Sequence, residues 1–218
     1  MQQDKAEKSY IQPTIHGEST MIAKQENSDV QEFNRRSVTY EDSWMQWFFF
    51  DRVHNAMLDL VESQAHPEDI LDIGCGTGRL LRKARERWPD ARLIGVDPAE
   101  GMVEKARSLM PSATFYVGMA ESLPLPDASV DLAFSTMSYH HWVDHLQAVR
   151  EITRVLRPKG RLFLTDFWLP MGLSKVVRHF QPNDPARVRD VFAQAGLKMQ
   201  AQRKRIGRWL LVTIGERQ

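Results

Sequence analysis

The sequence has one cysteine, no long apolar run and almost no net charge, and each of these absences excludes a class of protein. A lone cysteine, Cys75, cannot form an internal disulfide, which is typical of a reducing compartment. No stretch of about 18 apolar residues is present, so we expect no membrane span. A formal charge of +1 gives no electrostatic reason to expect a nucleic-acid partner. We therefore expect a cytoplasmic protein.

The 218 residues are enough for one α/β core and too few for two. Residues 1–29 are polar and lack the apolar core of a secretory signal, and we expect them to be a flexible tail. Residues 30–218 would form a single domain. Within it we expect residues 30–66 to be a helical cap over the active site, because the stretch 44–61 is apolar and contains neither glycine nor proline.

Short apolar strands then alternate with helices, which predicts parallel strands joined by crossover helices. Two last strands, separated by three residues, predict a hairpin that adds an antiparallel strand at one edge. The predicted strands are 69–73, 91–96, 113–117, 130–135, 161–166, 198–205 and 209–215, and the helices between them are 77–87, 99–109, 144–156 and 185–195.

The most informative run is Asp72-Ile73-Gly74-Cys75-Gly76-Thr77-Gly78, which joins the first predicted strand to its helix. Glycines at this end of an α/β sheet let the backbone turn tightly and approach a ligand. A dinucleotide site has the spacing Gly-x-Gly-x-x-Gly/Ala, whereas the third glycine here comes one position early and Arg79 replaces the small residue. The carboxylate of Asp72 would repel a pyrophosphate but suits an ammonium and a sulfonium. The run therefore favours S-adenosylmethionine over NAD.

A second carboxylate, Asp97, ends the next predicted strand, 25 positions after Asp72. At a strand tip it can accept hydrogen bonds from both hydroxyls of a ribose. Capping of the helix that starts at Ala99 is the structural alternative. Ribose recognition by itself does not separate the methyl donor from NAD.

These residues, with the runs 119–131 and 154–162, resemble the class I S-adenosylmethionine-dependent methyltransferases. The likeness is greatest to the small-molecule branch of ubiquinone- and menaquinone-biosynthesis-type enzymes (methyltransferase domain type 11), and it extends from about Phe33 to the C-terminus. It implies a Rossmann-like α/β fold with a seven-stranded, mostly parallel sheet, helices on both faces and an antiparallel C-terminal edge hairpin. It also implies S-adenosyl-L-methionine as methyl donor and S-adenosyl-L-homocysteine as product, without a metal.

Carried over by position, the resemblance implies that the glycines lie against the cofactor, that Asp72 serves its amino group and that Asp97 binds the ribose. The implied cofactor-binding residues are Asp72, Gly74, Cys75, Gly76, Gly78, Asp97, Pro98, Met102, Met119, Ala120, Glu121 and Ser135. Met119 departs from the family, which often has an aspartate there that accepts from the adenine amino group. We expect shape, backbone amides and Glu121 or Asp127 to hold the adenine instead.

Histidines follow the fourth predicted strand, in the run 138–142, close to where the methyl group would lie. A neutral histidine can take a proton from the acceptor, so His140 and His141 are catalytic candidates, and a structural role for either stays open. Adjacent side chains point in different directions, and we favour His140. Tyr40 is the third candidate, since the segment 33–40 resembles the one that closes over the cofactor in this family. Adjacent histidines without a third spaced ligand make a poor metal site.

Two sequence motifs that are absent reduce the range of possible methyl acceptors. The sequence has no Asn/Asp-Pro-Pro-Tyr/Phe block, which argues against amide or adenine nitrogens, and no Pro-Cys pair, which argues against cytosine C5. A small or medium-sized molecule methylated on oxygen, nitrogen or activated carbon is what remains. Two alternatives are an NAD-dependent oxidoreductase and a non-catalytic S-adenosylmethionine-binding module.

The substitution Met119→Asp is expected to tighten binding of S-adenosylhomocysteine roughly tenfold, because a carboxylate supplies the acceptor that the adenine amino group lacks. Isothermal titration calorimetry measures the Kd, with Met119→Leu as the control. An unchanged or weaker Kd for the aspartate variant contradicts the prediction.

Overall fold

A computed structural model of the chain describes residues 28–42, 50–63, 66–167, 184–206 and 210–218. The predicted tail, apart from its last two residues, and positions 44–49 of the predicted N-terminal helix lie outside these ranges. The strands are β1 (Asp69–Ile73), β2 (Arg92–Asp97), β3 (Thr114–Val117), β4 (Val130–Thr136), β5 (Leu156–Phe167), β6 (Leu197–Ile206) and β7 (Leu210–Arg217). The helices are α1 (28–36), α2 (Asp51–Glu62), α3 (Arg79–Arg87), α4 (Glu100–Leu109), α5 (His145–Val155) and α6 (Pro185–Gln194).

The seven strands form one sheet in the order β3-β2-β1-β4-β5-β7-β6. Strands β1 to β5 are parallel, and β7 runs antiparallel to both β5 and β6. The predicted fold is therefore confirmed, with the antiparallel strand one place in from the edge. The strand order reverses between β1 and β4, and a crevice at the carboxyl ends of such strands is the usual ligand position in open α/β sheets.

Two apolar layers cover the sheet because successive side chains of a strand point to opposite faces. Leu132 and Phe134 of β4 pack with α2, α3 and α4, whereas Ala133 packs with α5 and α6. The same alternation in β5 places Phe163 in the first layer and Leu164 in the second. None of the helices in the described ranges is long and apolar enough to span a membrane.

One predicted boundary is wrong. The strand predicted at 161–166 already begins at Leu156, which pairs with Val130. The backbone is irregular before Arg161, because Lys159 has a left-handed φ of 67° and the register shifts between Val130 and Leu132.

The substitution Gly95→Ala is expected to lower the free energy of unfolding by about 2 kcal/mol, because the interior has no room for a methyl group. An added Cβ would lie 2.5 Å from Cδ1 of Phe115 and 2.8 Å from Sγ of Cys75. Gly118→Ala is the control, since its Cβ would meet nothing closer than 3.2 Å and should cost less. Urea denaturation measures both values, and equal losses would contradict the close packing at Gly95.

Candidate cofactor and active site

The loop between β1 and α3 takes its shape from three glycines. Gly74, Gly76 and Gly78 have φ values of 72°, 52° and 77°, in the left-handed region that other L-residues rarely adopt. A Cβ added to Gly74 would lie 2.4 Å from Cβ of Ser138, whereas one added to Gly76 would meet nothing within 4 Å. The loop is therefore packed against the protein at its first glycine and faces open space at its second, where a ligand can approach the backbone.

Asp97 holds this loop from the tip of β2. One carboxylate oxygen accepts the backbone N–H of Gly76 at 2.8 Å, and the other accepts that of Ala99 at 2.9 Å. The helix-start interaction with Ala99 is thus present. Because each carboxylate oxygen has two acceptor sites, ribose binding by the same side chain stays a prediction. Burial raises the pKa of Asp97 to about 6.

Asp72 lies directly before the loop and is only 3% exposed. Burial first, and then the charge of Asp97, raise the pKa of Asp72 to about 8. No hydrogen-bond donor in the described part of the chain contacts its carboxylate. A ligand ammonium group would supply both the missing donors and the opposite charge. This side chain therefore fits the amino-acid end of S-adenosylmethionine and would oppose a diphosphate.

Ser135 is fully buried at the end of β4, where its hydroxyl contacts that of Ser138 at 2.7 Å. The Ser138 hydroxyl donates to the carbonyl of Ile73 at 2.9 Å and thereby fixes the loop after β4 against the glycine loop. Met137 between them has a left-handed φ of 57°. The structure thus gives Ser135 a loop-bracing role, and its contact with the cofactor stays a prediction.

Glu121 and Asp127, the carboxylates proposed near the adenine, both bind groups of the protein. Glu121 accepts the backbone N–H groups of Val143 and Asp144 at 2.8 and 3.2 Å, and so fixes the start of α5. Asp127 forms an ion pair with Arg154 at 2.7 Å. Each carboxylate keeps acceptor sites beyond these contacts, so a contact of Glu121 or Asp127 with the adenine stays a prediction.

The remaining cofactor candidates occupy the expected elements. Pro98 follows β2, and buried Met102 lies on α4. Met119 and Ala120 follow β3, and Met119 forms an isolated bridge with Ser122. The side chain of Cys75 is buried in the layer shared by α2, α3 and α4, so a ligand could meet this residue through its backbone alone. The assignments themselves stay predictions.

His140 forms a pair with Asp166 that the sequence did not reveal. Nδ1 of His140 lies 2.9 Å from one carboxylate oxygen of Asp166, and its backbone N–H donates to the other at 3.0 Å. His140 is in a short 3-10 turn after β4 (Tyr139–His141), and Asp166 is at the carboxyl end of β5. A charged residue at the tip of an apolar strand was the available signal for Asp166.

The ring of His141 lies beside that of His140, at a centroid distance of 4.1 Å, although adjacent side chains are expected to point in different directions. Its Nδ1 lies 3.2 Å from a carboxylate oxygen of Asp29, and its ring meets that of Phe33 edge-on at a centroid distance of 5.4 Å. Burial and then the charge of His140 lower the pKa of His141. His141 therefore connects the loop after β4 to α1, which supports the structural alternative for this residue.

Residues 28–42, called the N-terminal segment below, cross the carboxyl end of the sheet. Beyond the contact with His141, Asn34 accepts the backbone N–H of Gly101 at the start of α4, at 2.8 Å. Glu41 then binds the hydroxyl of Thr77 in the glycine loop. Tyr40 lies beside Glu41 in a 3-10 turn. The segment thus touches the loops that follow β1, β2 and β4.

Arg79, at the start of α3, pairs with two carboxylates, one in the N-terminal segment and one on α2. Its Nη1 lies 3.1 Å from Glu41, and its Nε lies 2.8 Å from Asp51 on α2. The sequence identified Arg79 only as an obstacle to a dinucleotide fold. Its carboxylate partners are 38 and 28 positions away in the chain, so no local pattern pointed to them.

Within the described ranges, no group of three or more His, Cys, Asp or Glu side chains could hold a metal ion. The polar groups gathered here are two carboxylates and a glycine loop at the crevice, and a His–Asp pair beside it. This arrangement can bind a cationic nucleoside and remove a proton from a neighbouring ligand.

Comparison with known proteins confirms the resemblance found in the sequence. Residues 71–164 match the family described as a methyltransferase domain. A malonyl-[acyl-carrier protein] O-methyltransferase of Methylococcus capsulatus is 44% identical over 105 residues, which are 46% of this chain and 38% of that protein. The chain therefore spans well under half the length of the first curated relatives that it matches.

Solved structures agree on the fold. A SAM-dependent methyltransferase of Thermotoga maritima superposes with a TM-score of 0.65 and 22% identity, over 85% of this chain and 98% of that one. The [4+2]-cyclase SpnF superposes with a TM-score of 0.70 and 18% identity, over 80% of this chain and 82% of that one. Since proteins of such different names share it, the fold alone does not fix the reaction.

The substitution Asp72→Asn is expected to stabilise the ligand-free protein at high pH. The folded-state pKa of about 8 lies above the unfolded value of 3.8. The stability contributed by the protonated group is therefore complete below the unfolded value and is lost as the pH rises through about 8. The asparagine variant loses none of it, so its advantage should grow between pH 5 and 9 to the order of several kcal/mol.

Thermal denaturation of both proteins from pH 5 to 9 measures this difference, with the exposed Asp90→Asn as the control. Parallel curves for Asp72→Asn and the parent would contradict the assignment of a buried, high-pKa carboxyl to this position.

Proposed function

We propose that this chain, whose residues 71–164 match the methyltransferase domain family, transfers a methyl group from S-adenosylmethionine to a small or medium-sized acceptor. The observation that carries the proposal is Asp72, a buried carboxyl group at the ligand end of the sheet that accepts no hydrogen bond from the described residues. A carboxylate in that position opposes a diphosphate and attracts an ammonium. The acceptor atom would be oxygen, nitrogen or an activated carbon.

Each part of the crevice would bind one part of the cofactor. Asp72 would take the amino group, the backbone of Gly76 would lie against the nucleoside, and the remaining acceptor sites of Asp97 would take the ribose hydroxyls. Burial of Asp72 and Asp97 makes their interactions with a cation stronger than they would be in water. When bound, S-adenosylmethionine supplies an electrophilic methyl group on its sulfonium.

The protein's part in the reaction is to exclude water, position the acceptor and move one proton. We infer that residues 30–66 supply the cover, because the N-terminal segment already touches the loops after β1, β2 and β4. Asp166 holds Nδ1 of His140, so it fixes the orientation of the ring. The opposite nitrogen, Nε2, would take the proton from an acceptor hydroxyl or ammonium. Asp166 would then be the positioning residue that stabilises the charged ring.

The NAD-dependent alternative fits the site less well. A pyrophosphate would lie next to Asp72, and its usual partner, the start of α3, carries Arg79, whose guanidinium is engaged by Glu41 and Asp51. A non-catalytic S-adenosylmethionine-binding module has the same cofactor site, and it differs in not using His140. The His140–Asp166 geometry favours the enzyme over this module.

Transfer of a labelled methyl group tests the function. The parent protein is incubated with [methyl-³H]S-adenosylmethionine and a panel of phenols, amines, quinols and a malonyl thioester, the last chosen because of the name of the Methylococcus relative. Saturable labelling of one acceptor class is expected. If no class is labelled while the cofactor binds, the non-catalytic module is supported instead.

The variants His140→Gln and Asp166→Asn are expected to lower kcat on the labelled acceptor at least 100-fold, the usual range for loss of a proton acceptor. Their affinity for S-adenosylhomocysteine should stay within twofold. His141→Gln is the matched control and should keep kcat within threefold. If only His141→Gln lost activity, His141 rather than His140 would be the proton acceptor, and the assignment of His140 would be wrong.

A further inference from the structure

Two buried polar atoms near the proposed active site lack a hydrogen-bond partner in the described part of the chain. They are Nδ1 of His54 on α2 and Oγ1 of Thr136 at the end of β4. His54 is only 8% exposed. Buried polar groups of native proteins are almost always paired, so each exception needs an explanation. Nε of Arg85 is a third such atom, but the same guanidinium binds two backbone carbonyls beyond the end of α3.

The register of the sheet brings His54 and Thr136 to one layer. Thr136 pairs with Thr165 of β5, so both side chains point to the face covered by α2. The hydroxyl of Thr165 contacts the sulfur of Met57, and His54 precedes Met57 by one helical turn. Asp51 ties the start of α2 to Arg79 at the ligand end. His54 and Thr136 therefore lie between the first half of α2 and the tips of β4 and β5.

The His140–Asp166 pair lies on the other side of these strand tips. Asp166 follows Thr165 directly in β5, and successive strand residues point to opposite faces. An acceptor whose reacting atom lies at His140 would have to extend across the tips of β4 and β5 to reach the layer of α2. Nδ1 of His54 and Oγ1 of Thr136 belong to that layer.

We infer that His54 and Thr136 form a second contact for the methyl acceptor and that this contact takes an uncharged hydroxyl or carbonyl group. The inference rests on the proposed function and deepens it by naming an acceptor class. That class has an apolar body and an uncharged oxygen group separate from the atom that is methylated.

The chemistry of the contact explains the preference for an uncharged group. Burial lowers the pKa of His54 to about 4, so the ring is neutral near pH 7 and can donate or accept. The nearby charges of Arg79 and Lys83 are paired with Asp51. A carboxylate or an ammonium group that moved from water to this contact would lose its hydration, and the charges nearest to it are already paired. Its desolvation would therefore be costly. The ring of Phe50, 6.3 Å from that of His54, suits an apolar body.

Phenol is the test probe, with toluene and benzoate for comparison. Nitrogen-15 spectra of histidine-labelled protein report on the His54 ring, which is assigned with His54→Leu, and titrations are run with and without S-adenosylhomocysteine. Phenol is expected to shift the His54 nitrogens saturably, while toluene and benzoate leave them unmoved. The variant Thr136→Val should raise the Kd for phenol at least fivefold. Thr165→Val is the matched control, since its hydroxyl has a partner, and should stay within twofold.

Thermal stability separates this role from a structural one. Thr136→Val keeps the shape of the side chain and removes an unpaired buried hydroxyl, so its Tm should equal or exceed that of the parent. A structural hydroxyl would instead lower the Tm when removed. Where Thr136→Val does not fold, Thr136→Ala replaces it in the phenol titration.

The two hypotheses fail in different ways. A protein that binds S-adenosylhomocysteine while phenol leaves His54 unmoved overturns the contact and keeps the proposed function. A protein that ignores S-adenosylhomocysteine while phenol still shifts His54, and loses that shift in Thr136→Val, keeps the contact and overturns methyl transfer.

Discussion

Asp72, a buried carboxyl group that accepts no hydrogen bond from the described residues, governs the chemistry of the ligand crevice. Burial and the charge of Asp97 raise its pKa to about 8, so the group keeps its proton near pH 7 in the free protein and ionises when a bound cation stabilises the carboxylate. The glycine loop keeps the space beside it open, since a Cβ at Gly76 would meet no atom within 4 Å. The ammonium group of S-adenosylmethionine can pair with Asp72 while the nucleoside lies in the open space beside Gly76. The diphosphate of a dinucleotide would instead lie against the carboxylate.

Charge pairing at the start of α3 attaches the N-terminal segment to the glycine loop. Arg79 binds Glu41 and Asp51, which flank positions 43–49, and Glu41 also binds Thr77 inside the glycine loop. These ion pairs are only partly exposed, with Arg79 at 13%, so solvent screens them less than it would screen a surface pair. The same contacts that attach the N-terminal segment therefore connect it to the backbone that would bind the cofactor.

Local spacing was enough to predict the sheet and the glycine turn between β1 and α3, because strand alternation and glycine positions are properties of neighbouring residues. Interactions between distant residues were missed. Asp166 is 26 positions from His140, and the register of β4 and β5 brings them together. Glu121 likewise accepts a backbone N–H at the start of α5, 22 positions away in the chain. Side-chain contacts that depend on tertiary packing join residues far apart in the chain, so a local motif does not predict them.

Equilibrium binding of S-adenosylhomocysteine, measured by calorimetry against NAD⁺ under the same conditions, decides whether the crevice binds a methyl donor or a dinucleotide. Saturable binding of the nucleoside thioether with no heat from NAD⁺ is the predicted result, because its ammonium group pairs with Asp72. Binding of NAD⁺ by a protein that ignores S-adenosylhomocysteine would contradict the account.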